Sequence, residues 1–200
     1  MIIVYIAHKE KGGLMKKTRE EAWMLFTQYN QQPSLRKHAL AVEAVMGYFA
    51  KERGEDVAYW SLVGLLHDLD YEQYPEVHCK KTRDILEKEG YEEPFIRAIE
   101  SHGYGICTEV LPVHPMEKVL YTIDELTGLV NATVLMRPDL SISTLPVKSV
   151  LKKFKNLKFA QGVDRQVILE GCGFLGEDLE TVVGKVIEGM KEAKEALGFA

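Results

Sequence analysis

The dipeptide His67-Asp68 closes an apolar run, Leu62-Val63-Gly64-Leu65-Leu66. An imidazole and a carboxylate at the end of a buried helical segment cost much to desolvate unless something compensates them, and a bound divalent cation is the usual compensation. His38 lies upstream, and His78, His102 and Asp124 lie downstream. Neutral imidazoles together with carboxylates suit Fe, Mn, Ni, Co or Zn, so the expected cofactor is a divalent transition metal, as one ion or two. One histidine on an apolar helix face is ordinarily a hydrogen-bonded core residue. The weight here comes from an ordered series whose members fall inward on separate helices.

Those helices can be phased. Ser34 follows Pro33 and opens a helix on which His38, Val42, Val45 and Phe49 share one stripe, and Gly54 ends it. Asp56 is an N-cap for the next helix, Val57 to about His67, which is apolar enough for a central position. After a break at Pro75, the spacing puts His78 at the head of a helix ended by Gly90, in register with Thr82, Ile85 and Glu89. Pro94 marks the first turn of another, where Phe95, Ala98, Ile99 and His102 take positions i, i+3, i+4 and i+7, with Gly103 closing it. Asp124 falls inside an apolar stretch over residues 119–130, where a carboxylate needs a partner. His8 and His114 lie in segments without helical phase and are left out of the site. Upstream, Thr18 and Glu21 form a capping box for a helix with Ala22, Leu25, Phe26 and Tyr29 on one face.

The order His38, His67-Asp68, Asp124 resembles the ligand pattern of the HD superfamily of metal-dependent phosphohydrolases. The resemblance covers about residues 34–131 and implies an all-α protein, a single HD-domain helical bundle with additional C-terminal helices over residues 132–200. His78 and His102 resemble the extra pair of two-metal members, including the bacterial diadenosine tetraphosphate hydrolases. On that likeness Asp68 bridges two ions, His38, His67 and Asp124 hold one, and His78 and His102 hold the other; Asp68 and His67 are then the catalytic residues. The stretches Asp68-Leu69-Asp70-Tyr71-Glu72, Asp124-Glu125-Leu126-Thr127-Gly128 and Val147-Lys148-Ser149-Val150 are similar to an HDIG-type subgroup of unassigned substrate. The chain has His102-Gly103-Tyr104-Gly105 rather than the Gly-Tyr-Pro signature of the cyclic-dinucleotide phosphodiesterases, and Tyr71-Glu72 where the alarmone hydrolases place Glu-Asp. The implied activity is hydrolysis of a small, nucleotide-like phosphate ester or anhydride by metal-activated water. An HD-type di-iron oxygenase and a non-catalytic ligand-binding protein remain as alternatives. Asp70 and Glu72 read as solvated carboxylates at a helix end, with orientation of a ligand or acceptance of a proton as their other use.

Apolar residues at 46% and charged residues at 28% are close to globular averages. Cys79, Cys107 and Cys172 are widely spaced, which argues against a disulfide framework or a thiolate zinc site, and they read as small core or surface residues. No run approaches a membrane span, and the apolar opening over residues 1–7 is too short for a signal peptide with its flanks, so a cytoplasmic enzyme is expected. Lys11-Gly12-Gly13 precedes Met15 and can be encoded by a purine-rich ribosome-binding stretch. Residues 1–14 are therefore read as an extension from a misplaced start codon and residues 15–200 as the domain; a short surface strand from Ile2 to Ile6 is the competing view.

The net charge of −5 conceals a local reversal: between Asp139 and Asp164 there is no acidic residue, while Lys148, Lys152, Lys153, Lys155 and Lys158 all occur. Arg137, Lys148 and Lys152 are the expected phosphate-binding residues, against the alternative of a solvated amphipathic face. An acidic domain with one short basic segment disfavours nucleic acid, so the expected partner is a small phosphorylated substrate. Val163 to Glu170 reads as a helix ended near Gly171-Cys172-Gly173. A last helix, Asp178 to about Leu197, carries Leu179, Val182, Val183, Val186, Ile187 and Met190 on one side; it is expected to pack on the core, with a homodimer seam as its alternative use.

Overall fold

Helix α1 (Arg19–Tyr29) opens on the expected capping box: Thr18 Oγ1 accepts from the Glu21 amide at 3.2 Å, and the Glu21 carboxylate accepts from the Thr18 amide at 2.8 Å. This is seen in a computed structural model that describes residues 17–200; the expectations for residues 1–14 lie outside that range. Helix α2 (Pro33–Arg53) starts on its proline and stops where Gly54 takes the left-handed conformation, φ 70°. Helix α3 (Val57–Leu66) is capped by Asp56, whose carboxylate accepts from the Tyr59 amide at 3.0 Å. The chain continues through α4 (Lys80–Lys88), α5 (Glu93–Glu100), α6 (Pro115–Leu135), α7 (Val147–Phe154), α8 (Arg165–Leu175), α9 (Leu179–Glu192) and α10 (Lys194–Leu197). Single 3-10 turns at Pro75–Val77 and Ser101–Gly103 complete the regular structure, and there is no strand among the described residues, so the fold is all-α.

Helix α2 is the hub, packed on α3, α6 and α9. Val42, Val45, Met46 and Phe49 meet Leu65, Leu66, Leu120, Ile123, Val186 and Met190 in one buried cluster, each such side chain contributing on the order of 1.5–3 kcal/mol of transfer free energy. Two glycines set how closely the helices cross. At Gly64 of α3 a Cβ would lie 2.8 Å from the Val42 carbonyl oxygen, and at Gly189 of α9 a Cβ would lie 2.8 Å from the Val45 Cα. The apolar stripe of α9 is thereby buried within the chain, against α2, α6 and α7.

Several boundaries differ from the sequence expectation. Helix α8 runs straight through Gly171-Cys172-Gly173 to Leu175, and Gly176, φ 67°, ends it. Gly171 is there for proximity: a Cβ would lie 2.8 Å from the Thr122 Cα of α6, so the glycine permits a helix crossing instead of terminating a helix. His78 precedes α4 rather than heading it, because Cys79 takes φ 67° and breaks the helical path. The last helix breaks at Ala193. His114, left out for lack of phase, caps α6: its Nδ1 accepts from the Met116 amide at 3.2 Å, while the Glu117 carboxylate accepts from the His114 amide at 3.0 Å. No helix among the described residues is long and apolar enough to cross a membrane.

Candidate metal centre

The helical run of α3 ends at His67 and the chain passes into consecutive turns, with Leu69 N bonded to Leu66 O, Tyr71 N to Asp68 O and Tyr74 N to Asp70 O. These turns point Asp68 and Asp70 in different directions. Buried Asn30, at the end of α1, donates through Nδ2 to the Leu69 carbonyl at 2.9 Å and holds the turn in place. Glu72 ties it from the other side, accepting from the amides of Gln31 at 2.6 Å and Gln32 at 3.0 Å just ahead of α2.

His38 from α2, His67-Asp68 from the end of α3, His78 before α4, His102 from the 3-10 turn after α5 and Asp124 from the middle of α6 converge. In one half, His38 Nε2 lies 2.8 Å from Asp124 Oδ1 and 3.2 Å from His67 Nε2, and His67 Nε2 lies 3.3 Å from both Asp124 Oδ1 and Asp68 Oδ2. In the other half, His78 Nε2 and His102 Nε2 are 3.2 Å apart and face Asp68 Oδ1 at 3.5 and 3.7 Å. Asp68 therefore turns one oxygen to each half.

The imidazole tautomers follow from their other nitrogens. His67 Nδ1 meets the Gly64 carbonyl at 2.7 Å and His102 Nδ1 meets the Ile99 carbonyl, and a carbonyl can only accept, so both Nδ1 atoms carry hydrogen. His78 Nδ1 donates to Asp70 Oδ1 at 2.7 Å. Asp70 is fully buried, and its carboxylate also accepts from the amides of Thr82 at 2.8 Å and Cys79 at 3.4 Å. Its role is thus to orient His78, which corrects the reading of Asp70 as a solvated helix-end carboxylate. With Nδ1 engaged, each of these three imidazoles turns its Nε2 inward, and in the neutral form that ion binding requires, Nε2 lone pairs facing across 3.2 Å repel unless a cation separates them. Donors sharing one ion at bond lengths of ~2.1 Å sit about 3.0–3.4 Å apart, close to the separations seen, so the donor set fits a divalent transition metal in each half.

Electrostatics point the same way. Burial opposes charge on His67, but Asp68 and Asp124 outweigh it and hold the imidazole well above its usual range. Burial likewise opposes charge on Asp68 and Asp124, and His67 beside them overcomes it, holding both carboxyls well below theirs. His78 is raised because Asp70 and Asp68 offset its burial. His102 goes the other way, pushed down to about 4 by burial and by His67. Ion binding requires neutral imidazoles, and His67 and His78 keep their protons above the ordinary histidine range in the ion-free protein, so uptake must displace those protons. Affinity for Mn or Zn is therefore expected to rise with pH through and above the ordinary histidine range of ~6.5, by up to about tenfold per pH unit for each displaced proton. Calorimetry in buffers of differing ionisation enthalpy checks this, and an affinity that stays flat across that range contradicts it.

A cavity of about 360 Å³ opens over the cluster, walled by Leu35, Tyr71, Ile106, Tyr121 and Val167 beside the acidic Glu125. Burial and the adjacent Asp124 push the Glu125 carboxyl up to about 7. Tyr121 donates to Glu170 at 2.9 Å. The structure does not bring Arg137, Lys148 and Lys152 to this cavity. Arg137 follows the C-terminal end of α6, roughly 16 Å along the helix from Asp124, and is engaged by Asp139 at 2.8 Å and Thr144 at 2.9 Å. Lys148 and Lys152 sit on α7, which packs against α6 and α9.

Residues that spacing did not single out are Glu125, Tyr121 and the pair Cys79 and Cys107, whose sulfurs lie 2.8 Å apart at the edge of the His78–His102 half. Contact with Cys79 draws the Cys107 thiol down to about 7, while Cys79 is raised by that contact and by burial. The signal available was the adjacency of Cys79 to His78 and of Glu125 to Asp124.

No curated protein and no solved structure matches the chain. Residues 35–129, from α2 into α6, match the family model of the HD domain, and this match over the segment that brings all six residues together supports an HD-superfamily domain there.

Proposed function

We propose that this protein is a metal-dependent phosphohydrolase of the HDIG type, acting on a small, nucleotide-like phosphate ester or anhydride through activated water. The observation that carries the reading is Asp68, with one oxygen toward His38 and His67 and the other toward His78 and His102. A divalent metal bound in each half would supply hydroxide near neutral pH and neutralise charge on the phosphoryl oxygens. The chain does the rest. Gly64, Ile99 and Asp70 fix three imidazole rings through their Nδ1 atoms, so the donors are set before substrate arrives. Glu125, on the cavity wall and poised near neutrality, can hold or release a proton there. Tyr71, exposed on the cavity wall, offers an aromatic surface to a base-like or other apolar body.

No lysine or arginine lines the cavity among the described residues, so the phosphate must be gripped at the metal centre. Arg137→Ala and Lys148→Ala are accordingly expected to leave kcat/KM within about twofold of wild type, whereas a charge-assisted phosphate contact would cost about tenfold or more. Steady-state kinetics on the identified substrate decides between them.

The activity itself is tested by reconstituting anaerobically purified protein with Mn, Fe, Co or Ni and screening nucleotides and phosphate esters. Metal-dependent release of inorganic phosphate, abolished by a chelator, is the expected result. Oxygen consumption without phosphate release would replace the hydrolase with an oxygenase, and a ligand held but never turned over would leave a binding protein.

A further inference from the structure

Cys79 and Cys107 come from segments 28 residues apart in sequence, yet their sulfurs stand 2.8 Å from one another. That is closer than the ~3.5–4.0 Å of ordinary nonbonded heavy-atom contact. The meeting is built into the backbone. Gly103 lies beside both sulfurs, and a Cβ there would sit 2.7 Å from Cys79 Sγ and would overlap Cys107 Sγ, so only glycine leaves room for the pair. Cys79 itself takes φ 67°, a conformation unusual for a residue with a side chain, while Asp70 receives the Cys79 and Thr82 amides on either side of that kink. Cys79 is wholly buried, whereas Cys107 faces the cavity. The third cysteine, Cys172, is elsewhere, on α8.

We propose that Cys79 and Cys107 form a redox-active dithiol that closes to a disulfide by exchange with a low-molecular-weight disulfide entering through the cavity. Closing the bond from the observed separation needs a sulfur movement of under about 1 Å. Cys107, the accessible partner, attacks one sulfur of the oxidant RSSR as its thiolate; the Cys107–SR bond forms, and RS⁻ leaves and takes up the proton that Cys107 gave to solvent. Cys79 then loses its proton and attacks the Cys107 sulfur, the S–SR bond breaks, and a second RSH departs with that proton. Two thiols are oxidised and one RSSR is reduced to two RSH. The bond ties the residue after His78 to the loop that gives the cavity Gly103, Ile106 and Cys107, so it pins that wall of the cavity to the segment carrying His78.

The test uses the full chain, incubated with oxidised glutathione, quenched in acid, alkylated and mapped by mass spectrometry. The expected result is loss of two of the three alkylatable thiols, a Cys79–Cys107 cross-linked peptide, Cys172 still free, and full reversal by dithiothreitol. Cys79→Ser should arrest the reaction as a lasting glutathione adduct on Cys107, and Cys107→Ser should leave Cys79 reduced. Three free thiols after incubation, a lasting adduct on Cys107 of the wild-type protein, or a cross-link to Cys172 would each overturn the proposal.

Discussion

Asp68→Ala is expected to empty both halves of the centre and to remove turnover with them. Among the described residues Asp68 is the one whose two carboxylate oxygens face different imidazole pairs, Oδ2 at 3.3 Å from His67 and Oδ1 at 3.5 Å from His78. Losing it removes a donor from each half and leaves four imidazoles with the single carboxylate of Asp124 to balance two divalent charges. The fall in kcat should exceed the ~10–100-fold that loss of an outer hydrogen-bond partner costs. Metal analysis and single-turnover kinetics on the folded variant check this. Undiminished metal content would remove Asp68 from the ligand set.

His102→Ala and His78→Ala should each lower metal content by one ion and leave the other half loaded. Both side chains meet the cluster only through Nε2, and both face Asp68 Oδ1 rather than Oδ2. Turnover should fall at least ~100-fold if both ions serve the same phosphoryl group, because the charge neutralised on the phosphoryl oxygens is halved. If the two histidines instead bind substrate or fill the core, stoichiometry will be unchanged and the loss will appear in KM or in thermal stability. Metal content measured beside kinetics separates these outcomes.

Features that depend on a few neighbouring residues were legible in the sequence. The Thr18–Glu21 capping box, the Asp56 cap and the stop at Gly54 are local chemistry, and each is found where its residue types put it. His38 and Asp124 were legible because a polar group on an apolar stripe must turn inward with it. His102 kept its helical phase although α5 ends at Glu100, because the 3-10 turn that follows continues the same direction. What needed the third dimension was hidden. Asp70 looks like any carboxylate after a helix until Thr82, Cys79 and His78 are seen to close on it. The left-handed Cys79 breaks the helix that would have begun at His78, and no propensity for that conformation is written in a cysteine. Gly171 reads as a terminator unless the approach of Thr122 is known. Arg137 and Lys148 matched a phosphate by charge, but charge alone carries no position, and the length of α6 separates Arg137 from the cavity.

The central claim is that six side chains from five segments make a two-ion centre with Asp68 between the ions. Quantitative metal analysis of anaerobically purified protein, reconstituted in turn with Mn, Fe, Co, Ni and Zn, tests it most directly. Two ions per chain in the wild type, one in His102→Ala and none in Asp68→Ala is the predicted result; a wild-type chain that takes up no ion under any of these conditions would contradict it.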